Sequence, residues 1–277
     1  MHLKGKFMFR LKLYLITFFI LSISNFCLSQ NYYEEGMKQY FNGNDDNKSI
    51  ELFTKAIENS QEVSKALMMR GAAKIQLKKY SDALLDLNSS MRIDSNYYKT
   101  YFYYGRLYFI QGFYQSALKY YSLALAKNPK DSDSYNERAA SKGKLGDFKG
   151  AIQDEDSAIY YNPKDAEYYC NRGYAKFELN KPDEAINDYN TSIHLQPTAS
   201  AYCNRGIAFA AKQNHSNAIQ DYTKAIEMNP DKLDFYYYRG LSYKKTNEKN
   251  AACADFVKSA KMGFPPAVDE HNKLCKP

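Results

Sequence analysis

Six small residues recur in this chain at nearly constant distance: Gly71, Gly105, Ala139, Gly173, Gly206 and Gly240, with steps of 34, 34, 34, 33 and 34 residues. A period of that length restricts the fold to a stack of like units, each resting on its neighbours. Twelve residues after each stands an alanine (Ala83, Ala117, Ala151, Ala185, Ala218, Ala252), and seven further on another small residue (Ser90, Ala124, Ala158, Ser192, Ala225, Ser259). In four copies a proline follows five later: Pro129, Pro163, Pro197 and Pro230. A looser copy, with Tyr33, Tyr40, Ser49, Phe53 and Ala56, precedes them and has about one extra residue in its turn. Seven copies result, at about 31–62, 64–97, 98–131, 132–165, 166–198, 199–232 and 233–264.

Each copy predicts two helices. Repeat 4 shows why: a helical stretch from Asp133 breaks at Leu145-Gly146-Asp147, and a second stretch stops at Asn162-Pro163. Small residues at three fixed places let the two backbones approach, and Tyr114, Phe148, Tyr121, Tyr189 and Tyr222 fill the space around them. No pair buries its apolar face alone, so stacked neighbours must share one core. The 27 tyrosines and 16 phenylalanines are thereby mostly framework residues.

The pattern Tyr202, Gly206, Ala218, Tyr222, Ala225 and Pro230 resembles the tetratricopeptide repeat, and the seven copies hold one phase. The resemblance implies an all-α, right-handed superhelical solenoid of about one turn. It also implies that the first helices line a concave face that receives a peptide or an extended segment. The stretch from Ala251 to Cys275 further resembles the closing segment of repeat proteins exported by Bacteroidetes-type bacteria. By extrapolation from the family, the lining includes Met68, Phe102, Arg106, Phe109, Asn136, Tyr174, Phe177 and Tyr237, with Ala72, Ile75, Ala140, Gly143, Cys170, Cys203, Ile207, Ala210, Leu241 and Lys244. Asn171 and Asn204 stand where family members often bond a bound backbone. The Lys and Asn set of the family's two-carboxylate clamp is not found; the expected groove is apolar and aromatic. The same residues could instead pack between helices.

Comparison among the copies yields one pairing. Arginine precedes the small position in five repeats (Arg70, Arg138, Arg172, Arg205, Arg239), and sixteen residues on stands aspartate (Asp86, Asp154, Asp188, Asp221, Asp255). Repeat 3 has Tyr104 and Tyr120 there, and repeat 1 is aligned with Gly36 and Leu52. Joint presence or absence points to a pair within one repeat, since a half-buried charge stripped of its partner costs about 3–5 kcal/mol. Copying from one ancestral repeat would leave the same pattern. Either way these arginines are architectural.

The N-terminus reads as an address. Lys4, Lys6, Arg10 and Lys12 precede an apolar run from Leu13 to about Phe26, then Cys27-Leu28-Ser29. This predicts a cleavable signal peptide over 1–29 and a secreted or periplasmic protein. An uncleaved anchor is the alternative, although the run is short of the ~20 apolar residues a span needs; a lipid on Cys27 is disfavoured by bulky Phe26. Without the leader, 34 basic residues face 31 acidic ones, a net charge near +3. With no long Lys/Arg run, a nucleic-acid surface gets little support.

Export permits disulfides. Cys170 and Cys203 hold one place in adjacent repeats, a helix-pair spacing apart, and are expected to stay free. Cys253 lies on the last repeat's second helix and Cys275 on the tail, where Pro265-Pro266 starts a helix expected to run to Lys276 and cap repeat 7. A Cys253–Cys275 bridge would staple that cap; two buried thiols are the alternative.

No catalytic set, metal site or cofactor motif emerges. His194, His215 and His271 lack metal-ligand spacing and read as surface residues. Asp154-Glu155-Asp156 reads as a solvated helix face plus the arginine's partner. Sequons at Asn47, Asn88, Asn190 and Asn214 read as chance. The expected function is a non-catalytic scaffold or adaptor that captures a protein segment. The alternatives are a structural subunit of an envelope assembly that uses its convex face, and a cell-wall enzyme with an unrecognised site.

Overall fold

A computed structural model describes residues 31–43 and 45–275. The expected signal peptide, residues 1–29, and the expected helix end at Lys276 lie outside the described residues. Fifteen helices and no strand occur among the described residues. Their contacts resolve into two compact units, meeting in sequence between Ser95 and Asn96.

The first unit holds α1 (Tyr32–Asn42), α2 (Asp46–Glu58), α3 (Val63–Gln76) and α4 (Tyr80–Ile93). The second holds α5 (Tyr98–Ile110), α6 (Tyr114–Lys127), α7 (Ser132–Lys144), α8 (Phe148–Tyr161), α9 (Ala166–Glu178), α10 (Pro182–Leu195), α11 (Ala199–Ala211), α12 (His215–Met228), α13 (Leu233–Lys245), α14 (Lys249–Lys261) and α15 (Pro265–Leu274). In each unit a helix packs on the next in sequence, and the first helices of successive repeats also touch.

Local chemistry sets the helix ends. Asp131, Asp147 and Asn214 cap α7, α8 and α12 by accepting from the backbone N–H groups of Ser134, Gly150 and Asn217. Asn128, Asn162 and Asn229 leave the helical region just before their prolines, which cannot continue the helix. Within repeats 3 and 4 the tight turn passes through Gly112 and Gly146 at φ +81° and +82°, where only glycine is unstrained.

The core is a ladder of large side chains, each set against a small residue of the partner helix. A Cβ added at Gly105, Gly173, Gly206 or Gly240 would come within 2.5–2.8 Å of Tyr121, Tyr189, Tyr222 or Phe256. These rings are essentially fully buried, and each contributes roughly 1.5–3 kcal/mol. Repeat 1 corrects the alignment: Gly36 faces Phe53 at 2.7 Å and so takes the small place, not the arginine's. The extra turn residue shifts the count, and Glu35 holds the arginine place.

Candidate functional site

All five arginine–aspartate pairs lie within one repeat. Arg172 donates from Nε and Nη2 to the two Asp188 oxygens at 2.9 and 2.6 Å. Arg70–Asp86, Arg138–Asp154, Arg205–Asp221 and Arg239–Asp255 repeat this fork at 2.7–2.9 Å. The remaining nitrogen, Nη1, reaches the preceding repeat, donating to Thr54, Ser122, Asp156, Asn190 or Thr223. Each arginine therefore ties three helices. That second tie was readable as a hydrogen-bonding residue fifteen or sixteen places before each arginine.

One turn on, Lys74, Lys142 and Lys176 join the aspartate at 2.7 Å in repeats 2, 4 and 5. Repeats 6 and 7 instead place Phe209 and Tyr243 against the guanidinium at 5.9 and 5.8 Å. Repeat 3 replaces all three charged places with stacked rings: Tyr104 and Tyr108 lie on Tyr120 at 4.8 and 5.3 Å. The bonded carboxylates and rings leave these groups no free chemistry.

The residues expected to line a groove divide by burial. Met68, Phe102, Asn136 and Cys203 are 2%, 7%, 8% and 4% exposed. They are corrected from groove lining to core, being enclosed between helices, while Cys170 and Tyr237 at the same place in repeats 5 and 7 stay half-buried. Ala72 and Ile75 are buried likewise. Asn171 and Asn204 are corrected in role, because both donate into the preceding repeat: Asn171 to Asn136 Oδ1 at 2.8 Å and Asn204 to Cys170 Sγ at 3.7 Å.

Tyr174 remains on the surface at 47% exposure, and Phe109, Phe177 and Tyr237 are half-buried. Phe109 meets Tyr114 at 5.4 Å, and Tyr237 meets Phe264 at 5.0 Å just before the cap. Arg106 lies 3.8 Å from Glu137, which also accepts from the Tyr121 hydroxyl at 3.4 Å. Burial pushes the Glu137 carboxyl up, with Arg106 opposing.

Two cavities open among the helices of the second unit. One of about 310 Å³ lies between repeats 6 and 7, lined by Ile207, Ala210, Tyr222, Tyr238 and Leu241, with His215 and Lys244. His215 is half-buried with Nδ1 enclosed and unpartnered, which corrects its reading as a surface residue. The other, of about 200 Å³, lies between repeats 4 and 5. Glu155 is in its wall and is 1% exposed. This overturns the solvated-face reading for the central acid of the triplet: it sits on the inward place that tyrosine holds elsewhere.

Cys253 and Cys275 are disulfide-bonded, with Cα atoms 5.7 Å apart. Lys244 adds an ion pair to Glu270 of α15 at 2.6 Å. Cys170 and Cys203 are free, and burial pushes the Cys203 thiol up to about 12. Among the described residues no three acidic, histidine or cysteine side chains cluster as metal ligands, and no helix is long and apolar enough to cross a membrane.

Models of the tetratricopeptide repeat match residues 98–131, 166–198 and 199–232. Heat shock protein STI1 of Saccharomyces cerevisiae is 40% identical over 75 residues, 27% of this chain; the chain spans 13% of that protein's length. Among solved structures, YrrB, described as a tetratricopeptide-repeat protein with an unusual peptide-binding site, is 25% identical (TM-score 0.53), covering 66% of this chain and 95% of YrrB. A tetratricopeptide-repeat protein from Parabacteroides merdae is 21% identical (TM-score 0.62), with 88% and 99% covered. The Cut9–Hcn1 structure is 16% identical (TM-score 0.75), with 87% and 48% covered. The last two likenesses concern the fold alone. Three of the seven copies are thus tetratricopeptide repeats by the family's models, and the other four keep the same phase in sequence.

Proposed function

We propose that this protein is an exported, non-catalytic scaffold that captures a segment of a partner protein on the first-helix face of repeats 3 to 7. The observation that carries the reading is the division of that face by burial. Its polar framework groups are bonded to one another, while Tyr174 keeps accessible ring surface beside a cavity and Phe109 and Phe177 stay half-buried. Aromatic surface of this kind suits an apolar or aromatic-bearing segment. The peptide-binding site in YrrB's description lends weight by analogy. Export is supported by the basic, apolar and small-residue order of positions 1–29 and by the Cys253–Cys275 bridge, which suits an oxidising compartment.

The test is a pull-down from envelope extract with the protein and with a Phe109→Ala, Tyr174→Ala, Phe177→Ala variant of equal helical circular dichroism. A partner held by the first and lost by the second is expected. A partner held equally by both overturns the use of this face. It would move the search to the second helices, where Tyr160 of α8 is 80% exposed.

A further inference from the structure

Six of the seven repeats place a large apolar residue just after the aspartate position: Phe53, Leu87, Tyr121, Tyr189, Tyr222 and Phe256. Repeat 4 has Glu155, and the glycine that faces such a side chain elsewhere is there Ala139. One turn beyond, where repeats 3 and 5 carry Phe109 and Phe177, repeat 4 carries Gly143. Two rings are missing, and the cavity of about 200 Å³ stands in that region. It is larger than the roughly 150 Å³ apolar cavities that take up benzene.

Its walls are Ala139, Ala140, Ala151 and Ala175 with the rings of Phe148 and Tyr174, which meet edge to face at 6.2 Å. Both Glu155 carboxyl oxygens are buried and have no hydrogen-bond partner. A bare carboxyl in such a place is costly unless something bonds it. Its surroundings are acidic. Burial, and with it Glu167 on α9, Asp154 on its own helix and Asp165 before α9, pushes its pKa well above the ordinary value of 4.5. Arg172 opposes them but is bonded to Asp188 and Asp156. Cys170, its thiol pushed up by burial, also lies on α9, and Lys144 of α7 is exposed at the rim. An anion gains nothing here; a cation on an apolar stem does. Its stem would lie on the aromatic walls, which also favour positive charge over their faces.

We infer that this cavity is a binding site for a primary alkylammonium group, the end of a lysine side chain, with Glu155 as its counter-ion. The lysine belongs to the captured segment, and that origin rests on the proposed scaffold function; the ammonium site does not. Binding ionises Glu155 and releases its proton, so affinity rises with pH while the amine stays charged.

The probe is n-butylammonium chloride, titrated into the protein near pH 7.5 with n-butanol as the uncharged control, followed by the ring signals of Phe148 and Tyr174. Saturable binding of the ammonium is expected, weakened about tenfold or more in Glu155→Gln, with n-butanol giving no comparable effect. An Ala139→Gly, Glu155→Tyr double variant restores the ring and its glycine, and should abolish binding while raising the melting temperature. Equal binding to Glu155→Gln, or none to the folded protein, overturns the site. In a second arm, a capped Gly-Gly-Lys-Gly-Gly peptide is compared with its norleucine counterpart. Preference for lysine supports the captured segment. Binding of butylammonium without the lysine peptide overturns that origin and leaves a site for a free amine.

Discussion

At the scale of single residues, one substitution changes what its neighbours can do. Tyr121, Tyr189 and Tyr222 press into glycines, and burial raises their hydroxyl pKa. Glu155 occupies the same place with neither the ring nor a partner. Its folded pKa is raised, so the folded state favours the protonated acid. Its contribution is fully present below the unfolded value and is lost as pH rises through the folded one. Denaturant melts should therefore show the wild type losing stability relative to Glu155→Gln as pH climbs from about 4.5, with the two alike below it. A difference constant with pH would mean that Glu155 is not the titrating group.

At the scale of elements, the last helix depends on its ties. Helix α15 has ten residues, too few to persist alone, and among its residues only Ala267 is buried. The Lys244–Glu270 pair, the Tyr237–Phe264 contact just before the helix and the disulfide hold it to α13 and α14. The bridge closes a 22-residue separation, for which chain entropy gives roughly 3 kcal/mol. Cys275→Ser should cost about that much or less by thermal melt. It should also speed amide exchange in α15 while leaving α11 and α12 unchanged. Loss spread evenly across the helices would show that the cap is not an independent element.

At the scale of the whole molecule, stability within each unit is a sum over repeats and their contacts, because the described helices there pack on those one or two places along the chain. Repeat 4 is expected to contribute less to that sum than repeat 5. It lacks two rings, adjoins a cavity and encloses an unbonded carboxyl. Its Arg138–Asp154–Lys142 cluster is intact, so it keeps its fold. Hydrogen exchange should find α7 and α8 less protected than α9 to α12, and Ala139→Gly with Glu155→Tyr should reverse that order. Uniform protection would mean that neighbouring repeats compensate for the missing rings.

The sequence by itself determined the helix pairs, their phase, the all-helical class and the arginine–aspartate spacing. Those features recur in register because each rests on contacts inside one repeat or with the next, so a local pattern carries them. The reach of each arginine to the preceding repeat was also legible, as the hydrogen-bonding residue that recurs before it. The tertiary structure alone decided which side chains stay available. Met68, Phe102, Asn136 and Cys203 share a sequence position with nothing to mark them as buried, and the packing of adjacent first helices encloses them. It also turned Glu155 from a member of an acidic triplet into the wall of a cavity. The space there depends on Gly143 and Glu155, on two helices of one repeat, which stand where repeats 3 and 5 carry rings, and on the packing of the next repeat against them. A period read along the chain averages such absences away; the space they leave exists only once the helices are packed.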